Sequence, residues 1–251
     1  MGFMPLLAEP LLLLLVAACD TLAQRPWPDE TAITGATALP GPPDRCQVSG
    51  TIEGNIRFEV NLPAGWNHKL LVIGIGGNAG RLSDTSAGWK RHYATATTDT
   101  GHQGDGSDTS WALNNPKGEA DFAERAFHLT TVAAKRIIEA HYGEAPRHAY
   151  FMGCSGGGRQ ALIEAQRFPD DFDGIIAGAP AYDLTGFHLA FLWNARAMFP
   201  DPAQLDRPLL GATHLKLLEE KVLARCDALD GLRDGLLDDP RRCHFRPAKH
   251  L

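Results

Sequence analysis

In the stretch YFMGCSGGGRQALIEA, residues 150–165, one serine has a glycine two positions away on either side: Gly153-Cys154-Ser155-Gly156-Gly157. HAYFMG before it reads as a strand and GGRQALIEAQRF after it as a helix, so this G-x-S-x-G fits a nucleophile elbow. The glycines are needed because the turn is so tight that side chains two positions either side would collide. The serine hydroxyl is then raised at the C-terminal end of a sheet, beside the first turn of a helix. Free backbone N–H groups there, notably that of Gly156, can hold the oxyanion of a tetrahedral intermediate. The plain alternative is a Gly-rich turn with a capping serine.

A second glycine cluster, GIGGNAG at 74–80, follows the apolar run KLLVIGI. One role for it is to supply the other oxyanion N–H, as the loop after an early strand does around such serines. A rival reading is a dinucleotide-binding turn, Gly74-x-Gly76-x-x-Ala79, with Asp99 placed for a ribose. No clear helix opens at NAGRLSD, which weighs against it. In CDALDGLRDGLLDD, Asp227, Asp230 and Asp234 recur within eight residues, interleaved with Gly231 and Gly235. Oxygen ligands on a tight loop suit Ca²⁺; a solvated acidic turn with helix caps fits the same spacing.

The elements that must position these residues alternate in type. RFEVNLP (57–63) puts Phe58, Val60 and Leu62 on one face of a half-exposed strand. KLLVIGI (69–75) is the continuous run of a strand covered on both faces. HYATATTD (92–99), HAYFMG and FDGIIAGAP are further strands. Residues 121–143 form the clearest helix, with Phe122, Ala126, Leu129, Val132, Ala133, Ile137 and Ala140 on one stripe and Gly143 as its stop. This alternation predicts an α/β fold with a mostly parallel sheet. From Asp183 onward helix-like segments such as ATHLKLLEEKVLARC suggest an inserted cap or second domain. Residues 24–46, rich in Pro, Gly and Thr, read as an irregular arm.

With 251 residues, 22% charged and 44% hydrophobic, the chain has a globular balance. A net charge of −6 with no Lys/Arg cluster excludes a phosphate-tracking surface, so no nucleic-acid partner is expected. Leu11–Ala18 with the small residues after it reads as an export signal, shorter than the roughly 20 residues a membrane span needs. VAAC also matches a lipoprotein box with Cys19 as the lipidated residue.

Taken together, GCSGGGRQAL, TDTGHQGD, SWALNNP, FDGIIAGAPAYD and CDALDGLRDGLLDDPRRC resemble the tannase/feruloyl esterase family, which includes mono(hydroxyethyl)terephthalate hydrolases. The resemblance runs from about Thr31 to Pro247. It implies a secreted serine ester hydrolase with an α/β-hydrolase core and a large lid, acting on small-molecule esters of aromatic acids. Carried over by position, Ser155 is the nucleophile, and Gly156 with a glycine of the 74–80 loop, Gly77 the candidate, forms the oxyanion hole. The resemblance also implies a structural Ca²⁺ held by Asp227, Asp230 and Asp234 with the carbonyls of Leu232 and Leu236. His102 and Asp105 fall in one of its motifs and read as a hydrogen-bonding loop near the mouth of the site. Trp111 and Trp193 could line an aromatic pocket or pack in the core.

The family's catalytic Asp and His follow the lid, and its Cys before the nucleophile bonds a Cys beside that His. The histidines after Ser155 are His188, His214, His244 and His250, none followed by a cysteine. The resemblance therefore reads as the N-terminal part of a longer enzyme. Five cysteines are sorted accordingly: Cys226 with Cys243 across the acidic loop, Cys19 with Cys46 at the arm, and Cys154 unpaired. The expected organisation is a signal peptide at 1–18, an arm at 19–45, an incomplete core at 46–182 and the start of a lid at 183–251. A second hypothesis is a non-catalytic, calcium-stabilised exported domain that binds an aromatic ligand.

Overall fold

The computed structural model describes residues 19–251; the export signal expected at 1–18 lies outside the described residues. These divide into two compact units, one running to Tyr182 and the other spanning Asp183–Leu251. No helix among the described residues is long and apolar enough to cross a membrane.

The first unit is built on seven strands: β1 (Thr31–Leu39), β2 (Arg45–Ile52), β3 (Ile56–Pro63), β4 (Lys69–Ile73), β5 (Ala94–Thr98), β6 (His148–Cys154) and β7 (Gly174–Gly178). Their spatial order is β1-β2-β3-β5-β4-β6-β7. From β5 through β4 and β6 to β7 every pairing is parallel, as the alternation of strands and helices predicts. The other half is an antiparallel meander, because tight turns rather than helices join β1 to β2 and β2 to β3. The sheet is therefore mixed, not mostly parallel. Residues 31–39 are also no irregular arm: they pair with β2 from Thr31↔Ile52 to Leu39↔Arg45. TAITGATAL holds β-branched residues and no proline, and the prolines gather at Pro40, Pro42 and Pro43 in the turn that follows.

Helix α1 (Ala126–Tyr142) packs against β5 and β3 and connects β5 to β6; helix α2 (Gly156–Arg167) connects β6 to β7. Gly143, at φ +78°, ends α1 in the left-handed cap that its sequence predicts. Residues 121–125 form one π turn leading into α1. Beyond that turn the buried face is Ala126, Phe127, Thr130, Thr131, Ala133, Ala134, Ile137 and Ile138, rotated from the predicted stripe. Leu129 and Val132 are only half-buried, whereas Thr131 is buried because its hydroxyl donates to the Phe127 carbonyl at 2.7 Å. In β4, Leu70 and Val72 are buried while Leu71 and Ile73 are half-exposed, so only one face is sealed. Phe58, Val60 and Leu62 meet Phe151, Ile137 and Ile138 in the same core.

The second unit holds α3 (Leu184–Met198), capped by the Asp183 carboxylate on the Gly186 N–H, and α4 (Ala212–Cys226).

Candidate active site

Ser155 adopts φ 59°, ψ −117°, a region that side-chain-bearing residues rarely enter, at the junction of β6 and α2. The bend is held from outside. The Ser155 N–H donates to the Gly178 carbonyl at 3.0 Å, and the Ser155 carbonyl accepts from Arg159 at 3.1 Å and Ala181 at 3.2 Å. A Cβ on Gly153 would overlap the Gly157 carbonyl group and stand 2.8 Å from its Cα. This is the collision the spacing predicts. The Ser155 side chain is exposed and Gly156 behind it is buried. No acidic residue lies in the first turn of α2, so nothing offsets the positive end of its dipole at the serine.

The 74–80 loop runs alongside. A Cβ built on Gly156 would be 2.5 Å from the Gly77 carbonyl oxygen and 3.1 Å from the Gly77 nitrogen, so the Gly77 backbone passes directly against the elbow. Gly77 sits at φ +62°, and a side chain there would meet the Gly106 carbonyl oxygen at 2.8 Å. Among the described residues the N–H groups of Gly77 and Gly156 have no hydrogen-bond acceptor. Two unspent donors thus lie at the elbow, Gly156 directly after the exposed Ser155 and Gly77 on the loop packed against Gly156. The loop is fastened by Gln160 of α2, whose Oε1 accepts from Ile75 N–H at 2.9 Å and whose Nε2 donates to Ile75 O at 3.1 Å. Ser83 Oγ adds a bond to the Gly74 carbonyl at 3.0 Å. The sequence motifs do not reveal Gln160; its one signal is a polar residue on the inward side of α2, five positions after Ser155.

No general base is paired with the serine: among the described residues Ser155 Oγ makes no hydrogen bond. His188 Nδ1 bonds the Leu184 carbonyl, while His214 and His250 accept backbone N–H groups of Gly211 and Arg246. Asp99 is buried and accepts from Arg57 N–H, Gly101 N–H and Gln103 Nε2 at 2.9–3.0 Å. Burial raises its pKa despite those bonds. At 2% exposure it is a structural cap sealed away from any ribose, and β4 is followed only by a four-residue helix at Ser86–Trp89. The dinucleotide reading loses both of its supports. His102 stacks on Trp111, and Asp105 caps its own loop through Ser107 and Asp108. Trp193 is exposed on α3.

Cys19 is joined to Cys46 and Cys226 to Cys243, with Cα separations of 5.6 and 5.5 Å; Cys154 is free and exposed beside Ser155. The Cys19 sulfur bound in a disulfide cannot also carry a lipid thioether. In the acidic loop Asp227 accepts from Gly235 N–H, Asp230 from Leu232 and Asp238, and Asp234 from Leu236. The donor set has the chemistry of a calcium site, since Oδ2 of Asp227 and of Asp234 is open. As the side chains stand, no group of three His, Cys, Asp or Glu converges at metal distance among the described residues.

The sequence model of the family described as tannase and feruloyl esterase matches residues 43–251. The chain belongs to the tannase and feruloyl esterase family. An uncharacterized esterase of Xanthomonas campestris pv. campestris is 38% identical over 92% of this chain and 43% of its own length. The mono(2-hydroxyethyl) terephthalate hydrolase of Piscinibacter sakaiensis is 33% identical over 88% of this chain and 42% of its own. The crystal structure of feruloyl esterase B from Aspergillus oryzae superposes with a TM-score of 0.79 at 27% identity, covering 92% of this chain and 50% of that one. The fold is thus that of the family's α/β-hydrolases. The chain spans half or less of the length of these relatives.

Proposed function

We propose that this chain carries the nucleophile and oxyanion hole of a serine carboxylic-ester hydrolase that acts on esters of aromatic acids of the feruloyl, galloyl or terephthalate type. One observation carries the reading: an exposed Ser155 in strained elbow geometry, with the unspent N–H of Gly156 next to it and that of Gly77 on the loop packed against Gly156. In the reaction Ser155 Oγ attacks the ester carbonyl and loses its proton to a base. The carbonyl oxygen, gaining charge, moves into hydrogen bonds from Gly77 and Gly156; the alcohol leaves, and water then releases the acid from the acyl-serine. The base and its orienting acid are assigned to the part of the family fold beyond the share of the relatives that this chain matches. The related feruloyl esterase and terephthalate-ester hydrolase support the substrate class.

Two further assignments accompany this reading. The two disulfides support an oxidising, exported setting. The loop from Asp227 to Leu236, closed by Cys226–Cys243, is assigned to structural Ca²⁺ through Asp227, Asp230, Asp234 and the carbonyls of Leu232 and Leu236. Three carboxylates on a short, disulfide-closed loop support it, and the ion would brace the second unit, read as a lid, without touching the ester. The test of the function is hydrolysis of methyl ferulate or a p-nitrophenyl ester by the full-length protein. Ser155→Ala is expected to abolish turnover; a variant that keeps wild-type turnover refutes the proposal.

A further inference from the structure

We propose that His102 is a positioning residue for the oxyanion site, its ring N–H orienting the Gly77 N–H through the Asn78–Ala79 and Gly76–Gly77 peptide groups. The inference rests on the reading of Gly77 as an oxyanion donor. His102 Nε2 lies 2.8 Å from the Asn78 carbonyl oxygen. A carbonyl can only accept, so Nε2 carries the hydrogen and donates. The Asn78 C=O shares a rigid plane with the Ala79 N–H. That N–H donates to the Gly76 carbonyl at 3.3 Å. The Gly76 C=O in turn shares a plane with the Gly77 N–H. In a trans peptide C=O and N–H point opposite ways, so three donors run head to tail: His102, then Ala79, then Gly77. The last of them has no acceptor among the described residues. Each bond in such a chain polarises the next, so the ring both aims the terminal N–H and strengthens it as a donor.

The ring itself is fixed. It is 7% exposed, stacked on Trp111 at 3.9 Å between centroids with planes 15° apart, and edge-on to Phe122 at 6.1 Å. Trp111 rests on Phe122, and the Arg159 guanidinium covers Phe122 at 4.4 Å while donating to the carbonyls of Phe122 and Ala123. Arg159 lies in the first turns of α2, so the seat of the ring is tied to the nucleophile helix. His102 Nδ1 is buried without a partner, and burial lowers the ring's pKa; the neutral Nε2–H form is the one this setting holds. A second tether, Asn78 N–H to the Gly106 carbonyl at 2.8 Å, holds the other side of the same residue.

The test uses the full-length protein and two variants. His102→Phe keeps a ring on Trp111 and removes the donor; His102→Gln restores an N–H near the same place. Loss of a direct oxyanion donor costs about 10²–10³ in kcat, so His102→Phe is expected to lower kcat about 10- to 100-fold with KM changed less than about twofold, and His102→Gln to recover to within about fivefold of wild type. Nitrogen-15 spectra of histidine-labelled wild-type protein should show His102 protonated at Nε2 and bare at Nδ1. Unchanged kcat in His102→Phe, or a proton on Nδ1 alone, overturns the proposal. Should His102→Phe fail to fold, the His102→Gln kinetics and the tautomer decide: a kcat as low as that of a missing donor, or the Nδ1–H form, counts against it. Ser155→Ala, measured alongside, separates the two levels. If Ser155→Ala stays active, the reading of the nucleophile falls; if it is dead while His102→Phe is normal, only the positioning role falls.

Discussion

Replacing Gly153 by alanine puts one methyl group into the tightest point of the elbow. The new Cβ would overlap the Gly157 carbonyl and lie 2.8 Å from the Gly157 Cα, both backbone atoms in the first turn of α2. Carbon atoms pack at about 3.5–4.0 Å, so the turn must open by roughly 1 Å. Overpacking of this kind costs about 1–3 kcal/mol or more, because no flexible side chain is there to give way. At about 2–4 °C per kcal/mol for a chain of this size, Tm should fall by about 2–12 °C. The shift moves α2 away from β6 and carries Ser155 with it, and a displacement of about 1 Å at a reacting group costs on the order of 10²-fold in rate. Circular dichroism melts and p-nitrophenyl ester hydrolysis read the two effects on the same sample. Gly35→Ala is the control, since a Cβ there meets nothing within 4 Å. A Gly153→Ala protein matching wild type in both Tm and kcat would show that the elbow is not as close-packed as described.

Other expectations follow from groups away from the elbow. Glu164 on α2 is 1% exposed, its Oε2 unpartnered, and burial, helped by the charge of Asp171, pushes its pKa up to about 8. Between pH 4.5 and about 8 the unfolded chain has lost this proton and the folded chain keeps it, so the contribution to stability is intact at low pH and falls as pH rises through that window. Glu164→Gln should therefore match wild type in Tm near pH 4 and exceed it at pH 9; an identical difference at both pH values contradicts the assignment. For the acidic loop, millimolar Ca²⁺ should raise Tm and EGTA lower it, with the effect lost in Asp230→Ala and weakened when Cys226 and Cys243 are both serine. Calorimetric titration showing no binding to the native protein would remove calcium from the account.

What could be read from the sequence was what neighbouring residues decide. The elbow is local: glycines two positions either side of Ser155 and the strand and helix around it leave the backbone little choice, and the φ of +59° is the outcome. Gly143 at the end of α1 is legible for the same reason. The strand at 31–39 was hidden by its alanines and by the prolines next to it; it forms because β2 offers an edge to pair with. The buried face of α1 departs from the expected stripe because Thr131, polar by type, is acceptable inside once its hydroxyl donates to the Phe127 carbonyl; Thr130 is buried beside it with its hydroxyl unpartnered. Gln160 and His102 act on backbone groups 85 and 24 residues away, and no spacing rule reaches across that distance. Three aspartates within eight residues name a possible ion; whether their oxygens converge depends on rotamers the sequence does not encode.

Everything functional depends on Ser155 Oγ being the atom that attacks. Incubating the full-length protein with a fluorophosphonate, then digesting it and mapping the adduct by mass spectrometry, tests this directly. A single phosphonyl group is expected on the peptide containing Ser155, absent in Ser155→Ala and slowed by a competing ferulate ester. An adduct on another serine, or none on a protein that hydrolyses the ester, would contradict it.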